Sequence, residues 1–246
     1  MEIFKKFVTT NKRLCDLLTH KFPNFFLDDQ DNAQLFRAIL SHYFSSKCVS
    51  TVVEVGGIDR PLLNKSKEWR YIGVDIEYRP NCEQIYDEFF LQTIEKPVNI
   101  NADLVISYTL LEHVPDNKSA LANIFEILNQ GGSTAHYLPS KFHPYSLILR
   151  LVGPTWQKRF IKLLRPHAVA TTGYPAYFDY CSVAQMRNLF IDVGFKNVKV
   201  IPFYKANDYF SFFVPLFITV AIYENLVKFC NMKAGACGFI ICADKV

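Results

Sequence analysis

TVVEVGGIDR, residues 51–60, begins as a buried strand and ends in a bend. Its first half is rich in β-branched residues, with Val52, Val53 and Val55 around a single acid, Glu54. An almost unbroken apolar run of this length fits a strand covered on both faces, as in a parallel sheet. The chain then bends on Gly56-Gly57, where backbone freedom is greatest. By itself this is a strand ending in a turn, and a purely structural bend explains it as well as a binding loop does.

The neighbours narrow the choice. Tyr71–Asp75 (YIGVD) is a second strand, and its last residue is an acid 21 positions after Glu54. An acid at the end of the second strand, at about this distance, is placed to accept hydrogen bonds from the two hydroxyls of a ribose. Ala102–Ser107 (ADLVIS) reads as another strand. Asn117–Leu128 reads as an amphipathic helix, with Gly131-Gly132 as its stop. Ser133–Leu138 is the next strand. Ser182–Val193 is a helix stopped by Gly194, and Phe195–Phe203 and Cys237–Ala243 are further strands. Strands alternating with helices predict a doubly wound, mostly parallel α/β sheet.

Residues 1–46 carry apolar positions at helical spacing and predict two amphipathic helices broken around Phe22-Pro23-Asn24. Residues 1–48 therefore read as an N-terminal helical cap and 49–246 as the main domain. Residues 139–180 form a lid-like insertion after the fifth strand. The stretch between Arg60 and Arg70 has room for a brief helix, which Pro61 would start. Residues 208–230 read as helical and very apolar.

Composition sets outer limits. The chain has 246 residues, 50% of them apolar, enough for a sizeable core. A net charge of +4 does not indicate a nucleic-acid partner. Seven scattered cysteines with no CxxC pair read as reduced thiols in a cytoplasmic protein, and no cluster has the spacing of a metal site. The most apolar run, FSFFVPLFITVAIY at residues 210–223, is 14 residues long, short of the ~20 that a membrane crossing needs.

Taken together, these segments resemble the class I S-adenosylmethionine-dependent methyltransferases. The family's first motif, an acid, any residue, glycine, any residue and glycine at the end of strand one, falls on Glu54-Val55-Gly56-Gly57-Ile58. Its second-strand acid is matched by Asp75. Its fourth-strand block is matched by Asp103, Leu104, Val105, Ser107 and Leu111-Glu112-His113-Val114, the most specific piece. The resemblance implies a seven-stranded Rossmann-like sheet and S-adenosyl-L-methionine as cofactor. It implies cofactor contacts from Glu54, Gly56, Gly57, Asp75 with its neighbour Ile76, Asp87, Ser107, Tyr108 with Leu110, and His113. One departure stands out: the family's second glycine falls at Ile58. That departure motivates a rival reading, a methyltransferase-like scaffold that no longer catalyses.

The acceptor side is less specific. Ligands of open α/β sheets sit beyond the carboxyl ends of the strands, where the 139–180 insertion leaves the sheet. His143 and His167 are the candidate general bases there. Residues 127–178 contain no acid and six basic residues. Lys158, Lys162 and Arg165 share a helical face, which reads as a membrane-surface helix, a cradle for an anionic acceptor, or an ordinary packed helix. The expected acceptor is small or glycan- or lipid-linked, methylated on oxygen or nitrogen, with peripheral membrane contact.

Overall fold

A computed structural model describes residues 2–58, 60–148, 150–151 and 174–246. The basic stretch around Lys158, Lys162 and Arg165, and the candidate base His167, lie outside the described residues.

The described chain forms two compact units. One is drawn from Asn32–Pro139, Tyr177–Ile201 and Phe239–Val246, the other from Met1–Asp31, Ser140–Ala176 and Pro202–Gly238.

The first of these units carries the sheet. Its strands are β1 (Thr51–Val55), β2 (Arg70–Asp75), β3 (Glu88–Leu91), β4 (Ala102–Tyr108), β5 (Leu128–Pro139), β6 (Lys196–Phe203) and β7 (Gly238–Asp244). The order is β3-β2-β1-β4-β5-β7-β6. β1, β2, β3, β4 and β5 pair in parallel, with Val55 opposite Val74 and Tyr108 opposite Tyr137. β7 runs the other way. The Gly131 amide donates to the Lys245 carbonyl at one end of β5, and the Ser140 amide to the Cys237 carbonyl just past the other end. From β1 the strands are laid down toward β3 on one side and from β4 toward β5 on the other, so the strand order switches between β1 and β4, and the switch point lies at the carboxyl ends of those two strands.

One face of the sheet is packed by α4 (Asn117–Ile127) and α6 (Val183–Val193). Val53, Val55, Ile72, Val74, Val105, Phe239 and Ile241 meet Leu121, Ile124, Met186 and Phe190 there, all buried. Asp116 caps α4 by accepting from the Ser119 amide, and Ser182 caps α6 by accepting from the Gln185 amide. Gly194 ends α6 at φ +117, a left-handed conformation that favours glycine. α2 (Asn32–Ser46) serves the opposite face, where Phe36 meets Tyr108 edge-on at 5.5 Å.

Two local expectations are corrected. Gly131-Gly132 does not stop a helix. α4 runs directly into β5 at Leu128, and the glycines lie within an irregular start to that strand, where the register slips between Ala102 and Leu104. The connection from β1 to β2 holds no helix among its described residues. Side chains of the same sheet face fill in. Tyr71 and Tyr86 approach at 4.9 Å, Tyr86 and Phe89 at 5.8 Å, and Glu54 is buried beneath them. A side chain on Gly73 would strike Phe89 at 2.7 Å and Tyr86 at 2.9 Å, so this aromatic cover requires glycine in β2.

The second unit contains α1 (Glu2–Lys21), a helical segment over 144–148 (α5) and α7 (Val214–Phe229). Cys15, Phe26, Phe217 and Ala221 form its small apolar core, with Phe26 stacked on Phe217 at 4.6 Å. No described helix is long and apolar enough to cross a membrane.

Candidate functional site

The carboxyl ends of β1, β2 and β4 meet at the turn after β1. Gly56 sits at φ +84 and its amide donates to the Val74 carbonyl at 2.9 Å, which ties the turn to the last residues of β2. Neither glycine has room for a side chain. A Cβ on Gly56 would lie 2.8 Å from Leu110 Cδ1, and one on Gly57 would lie 2.2 Å from the Tyr86 hydroxyl and 2.5 Å from the Glu54 carboxylate. Real Cβ atoms do not approach that closely, so both glycines are required by packing within the protein. Ile58 adopts φ +36, a left-handed conformation that a β-branched residue rarely takes. It therefore keeps the backbone course of a glycine with a side chain in place, a strain of order 1–3 kcal/mol.

Glu54 supports this turn from below. It is buried, and its carboxylate accepts from the Leu62 amide at 3.1 Å, from the Tyr86 hydroxyl at 3.3 Å and from the Tyr71 hydroxyl. Burial pushes its acid up to about 7, against the lowering effect of those donors. Through these hydrogen bonds Glu54 holds the loop after Gly57 in place.

Asp75 ends β2 beside the turn. Its Oδ1 accepts from the Glu77 amide at 2.8 Å, and its backbone carbonyl accepts from the Gln92 amide just past β3. Burial pushes its acid up to about 6, opposed by the amides of Glu77 and Ile76. A carboxylate offers about four lone-pair positions, so capacity remains for two further donors. Ile76 beside it is 66% exposed, an apolar surface at the edge of the sheet.

At β4 the arrangement differs from expectation. Ser107 is fully buried and its hydroxyl lies 2.7 Å from His136 Nδ1. The Thr134 hydroxyl donates its one proton to the Val105 carbonyl, so it accepts from His136 Nε2. His136 is thus the Nε2–H tautomer and accepts from Ser107; burial pushes its pKa down to about 3 and keeps it neutral. Ser107 braces β4 against β5 beneath the edge. Tyr108, one residue on, reaches the edge. It stacks on Tyr137 at 4.6 Å, and the Asn32 side chain bridges both hydroxyls at 2.7 Å. Asn32 went unread because nothing near it in sequence marks it; it is brought to β4 by α2, 76 residues away. Thr109 then turns at φ +55 and Leu110 packs on Gly56.

His113 follows in a short turn, with its Nε2 3.7 Å from the Glu112 carboxylate. Glu112 is buried, and its Oε2 has no hydrogen-bond partner among the described residues. Burial pushes that acid up to about 8.

One expected residue lies away from this edge, and another belongs to the other unit. Asp87 exchanges backbone and side-chain hydrogen bonds with Tyr71, at the amino end of β2, and pairs with Lys65 at 2.8 Å. It therefore fastens the far end of the sheet; Leu91 and Gln92 occupy the carboxyl end of β3. His143 belongs to the other unit. It is buried, accepts from the Tyr145 amide through Nδ1, and turns Nε2–H toward Glu224 Oε1 at 4.0 Å. Burial pushes His143 down to about 4 and Glu224 up to about 8, so both are neutral.

A family model described as a methyltransferase domain matches residues 11–200. The chain belongs to the methyltransferase-domain family. No curated protein matches it in sequence. Among solved structures, this chain is similar to Haemonchus contortus phosphoethanolamine N-methyltransferase 2 in complex with S-adenosyl-L-methionine, at 14% identity and TM-score 0.52 over 86% of this chain and 52% of that one. It is similar to the CurJ carbon methyltransferase at 16% identity and TM-score 0.52, over 87% of this chain and 54% of that one. It is also similar to an S-adenosylmethionine-dependent methyltransferase from Archaeoglobus fulgidus at 17% identity and TM-score 0.52, over 93% of this chain and 98% of that one. The chain thus spans about half the length of the first two. At these identities the likeness is one of fold, the Rossmann-like methyltransferase sheet. The cofactor of the family is S-adenosyl-L-methionine, and an acid beside a backbone turn at the carboxyl edge is a donor–acceptor set that fits its ribose.

Gly57→Ala should destabilise the fold by ~1–3 kcal/mol, measured by urea unfolding, because the new methyl meets the Tyr86 hydroxyl and the Glu54 carboxylate. Glu112 holds its proton more tightly folded than unfolded. Its contribution to stability is full below its ordinary value of 4.5 and lost as pH rises through about 8. Urea midpoints measured across that range should fall for the wild type and fall less for Glu112→Gln.

Proposed function

We propose that this methyltransferase transfers a methyl group from S-adenosylmethionine to an oxygen or nitrogen of a small, glycan- or lipid-linked acceptor. The observation that carries the cofactor site is Asp75, held by backbone amides beside the Gly56 turn at the switch point of the sheet. When bound, the cofactor supplies an electrophilic methyl group on a sulfonium. The chain's own residues then have three tasks. Asp75 accepts from both ribose hydroxyls. Ile76 lends its exposed apolar face to the base. Tyr108, fixed by Tyr137 and Asn32, walls the side next to β4. Glu54 acts through the loop, which its carboxylate anchors at Leu62. His113 sits at the rim beside Glu112.

Displacement at a methyl carbon depends mainly on alignment of the acceptor with the donor bond. A general base is needed only where a hydroxyl must lose its proton. His143, neutral as a base must be, is proposed as that base for a hydroxyl acceptor.

The rival reading, a binding protein without catalysis, is favoured by Ile58. Its side chain occupies the position at which the family's loop places a glycine. Titration calorimetry with S-adenosylmethionine separates the two. Micromolar binding supports the enzyme; no binding by the wild type, restored in Ile58→Gly, supports the rival.

Asp75→Ala should weaken cofactor affinity by ~1–3 kcal/mol. Because Asp75 titrates at about 6, wild-type affinity should decline as pH falls through that value, and Asp75→Asn should bind weakly without that inflection. Unchanged affinity in both variants would assign the ribose to another group.

A further inference from the structure

α1 (Glu2–Lys21) is amphipathic in a way its internal packing does not account for. Its inward face is fixed. Asn11 Oδ1 accepts from the Val214 amide at 3.0 Å, and Cys15 packs with Phe26, Phe217 and Ala221. Beside that face runs a second apolar stripe. Ile3, Phe7, Leu14 and Leu17 follow one another at i, i+4, i+11 and i+14, one side of the helix over about 21 Å. They are 87%, 48%, 47% and 66% exposed, where a packed stripe would be near zero. Phe213, 41% exposed, extends it by meeting Phe7 at 6.5 Å.

The charges choose the occupant. The outer border of the stripe is formed by Lys6 and Arg13, both exposed, and Lys21 lies at its end. The helix carries five Lys and Arg residues against two acids, Glu2 and Asp16. A second copy docked stripe to stripe would set two cationic borders together without enough acids to offset them. Lysine and arginine bordering an apolar stripe instead lie along a surface with their stems in apolar material and their charges at anionic groups.

We infer that α1 lies on an anionic lipid surface, with Ile3, Phe7, Leu14 and Leu17 inserted at the headgroup boundary and Lys6 and Arg13 on lipid phosphates. This rests on the geometry of α1 and stands apart from the identity of the acceptor.

The test is co-sedimentation of the full chain with vesicles of equal parts phosphatidylcholine and phosphatidylglycerol, against phosphatidylcholine alone. Binding to the anionic vesicles alone, fading as salt rises, is expected. The double variants Ile3→Glu/Leu17→Glu and Lys6→Glu/Arg13→Glu change exposed residues and should each reduce the bound fraction at least tenfold, with cofactor affinity unchanged. No sedimentation of the wild type, or equal sedimentation of wild type and both variants, overturns the inference. So does a dimer in analytical ultracentrifugation that Ile3→Glu/Leu17→Glu dissociates while wild-type vesicle binding is absent.

Discussion

The turn after β1 has no space for a side chain at either of its glycines, and much of the sheet edge is arranged around that fact. Leu110, arriving from β4, occupies the space over Gly56; Tyr86 and Glu54 occupy the space over Gly57. The turn is therefore clamped between β4 on one side and the aromatic cover of β2 on the other. Its amide is simultaneously tied to Val74. A backbone held this way leaves Asp75 in one place relative to the loop, which is the requirement for gripping a small ligand without reorganisation.

The buried acid beneath the loop follows from the same constraint. The β1–β2 connection has no helix among its described residues to cover the sheet face. A carboxylate receiving two tyrosine hydroxyls and the Leu62 amide ties an otherwise irregular connection to β1 and β2. Burying an acid this deeply costs free energy that hydrogen bonds only partly offset, and its raised pKa of about 7 records the balance. Ser107, His136 and Thr134 play a comparable part between β4 and β5, as a neutral chain in which every proton has an acceptor.

β1, β2, β4 and the later half of β5 were legible because strands buried on both faces show as apolar runs, and Gly194 marked the end of α6 by its chemistry. β3 was not legible: Glu88–Leu91 is half exposed and too short to display a period. The Gly131-Gly132 pair has the composition of a helix stop and the position of a strand irregularity, a distinction that depends on β7 lying alongside. Asp75 and Gly56-Gly57 were readable from spacing. Asn32 and the apolar stripe on α1 were not. The first depends on a contact across 76 residues. For the second, the sequence shows which residues of α1 are apolar but not which of its sides the rest of the unit covers.

The proposed site holds an adenosyl sulfonium at the carboxyl edge of this sheet, gripped through its sugar. A crystal structure of the complex with S-adenosylhomocysteine tests it most directly. Both ribose hydroxyls within hydrogen-bond distance of the Asp75 carboxylate, with the thioether beside the Gly56 turn, is the result this account predicts. A nucleoside bound elsewhere, with protein side chains filling the space next to Asp75, would contradict it.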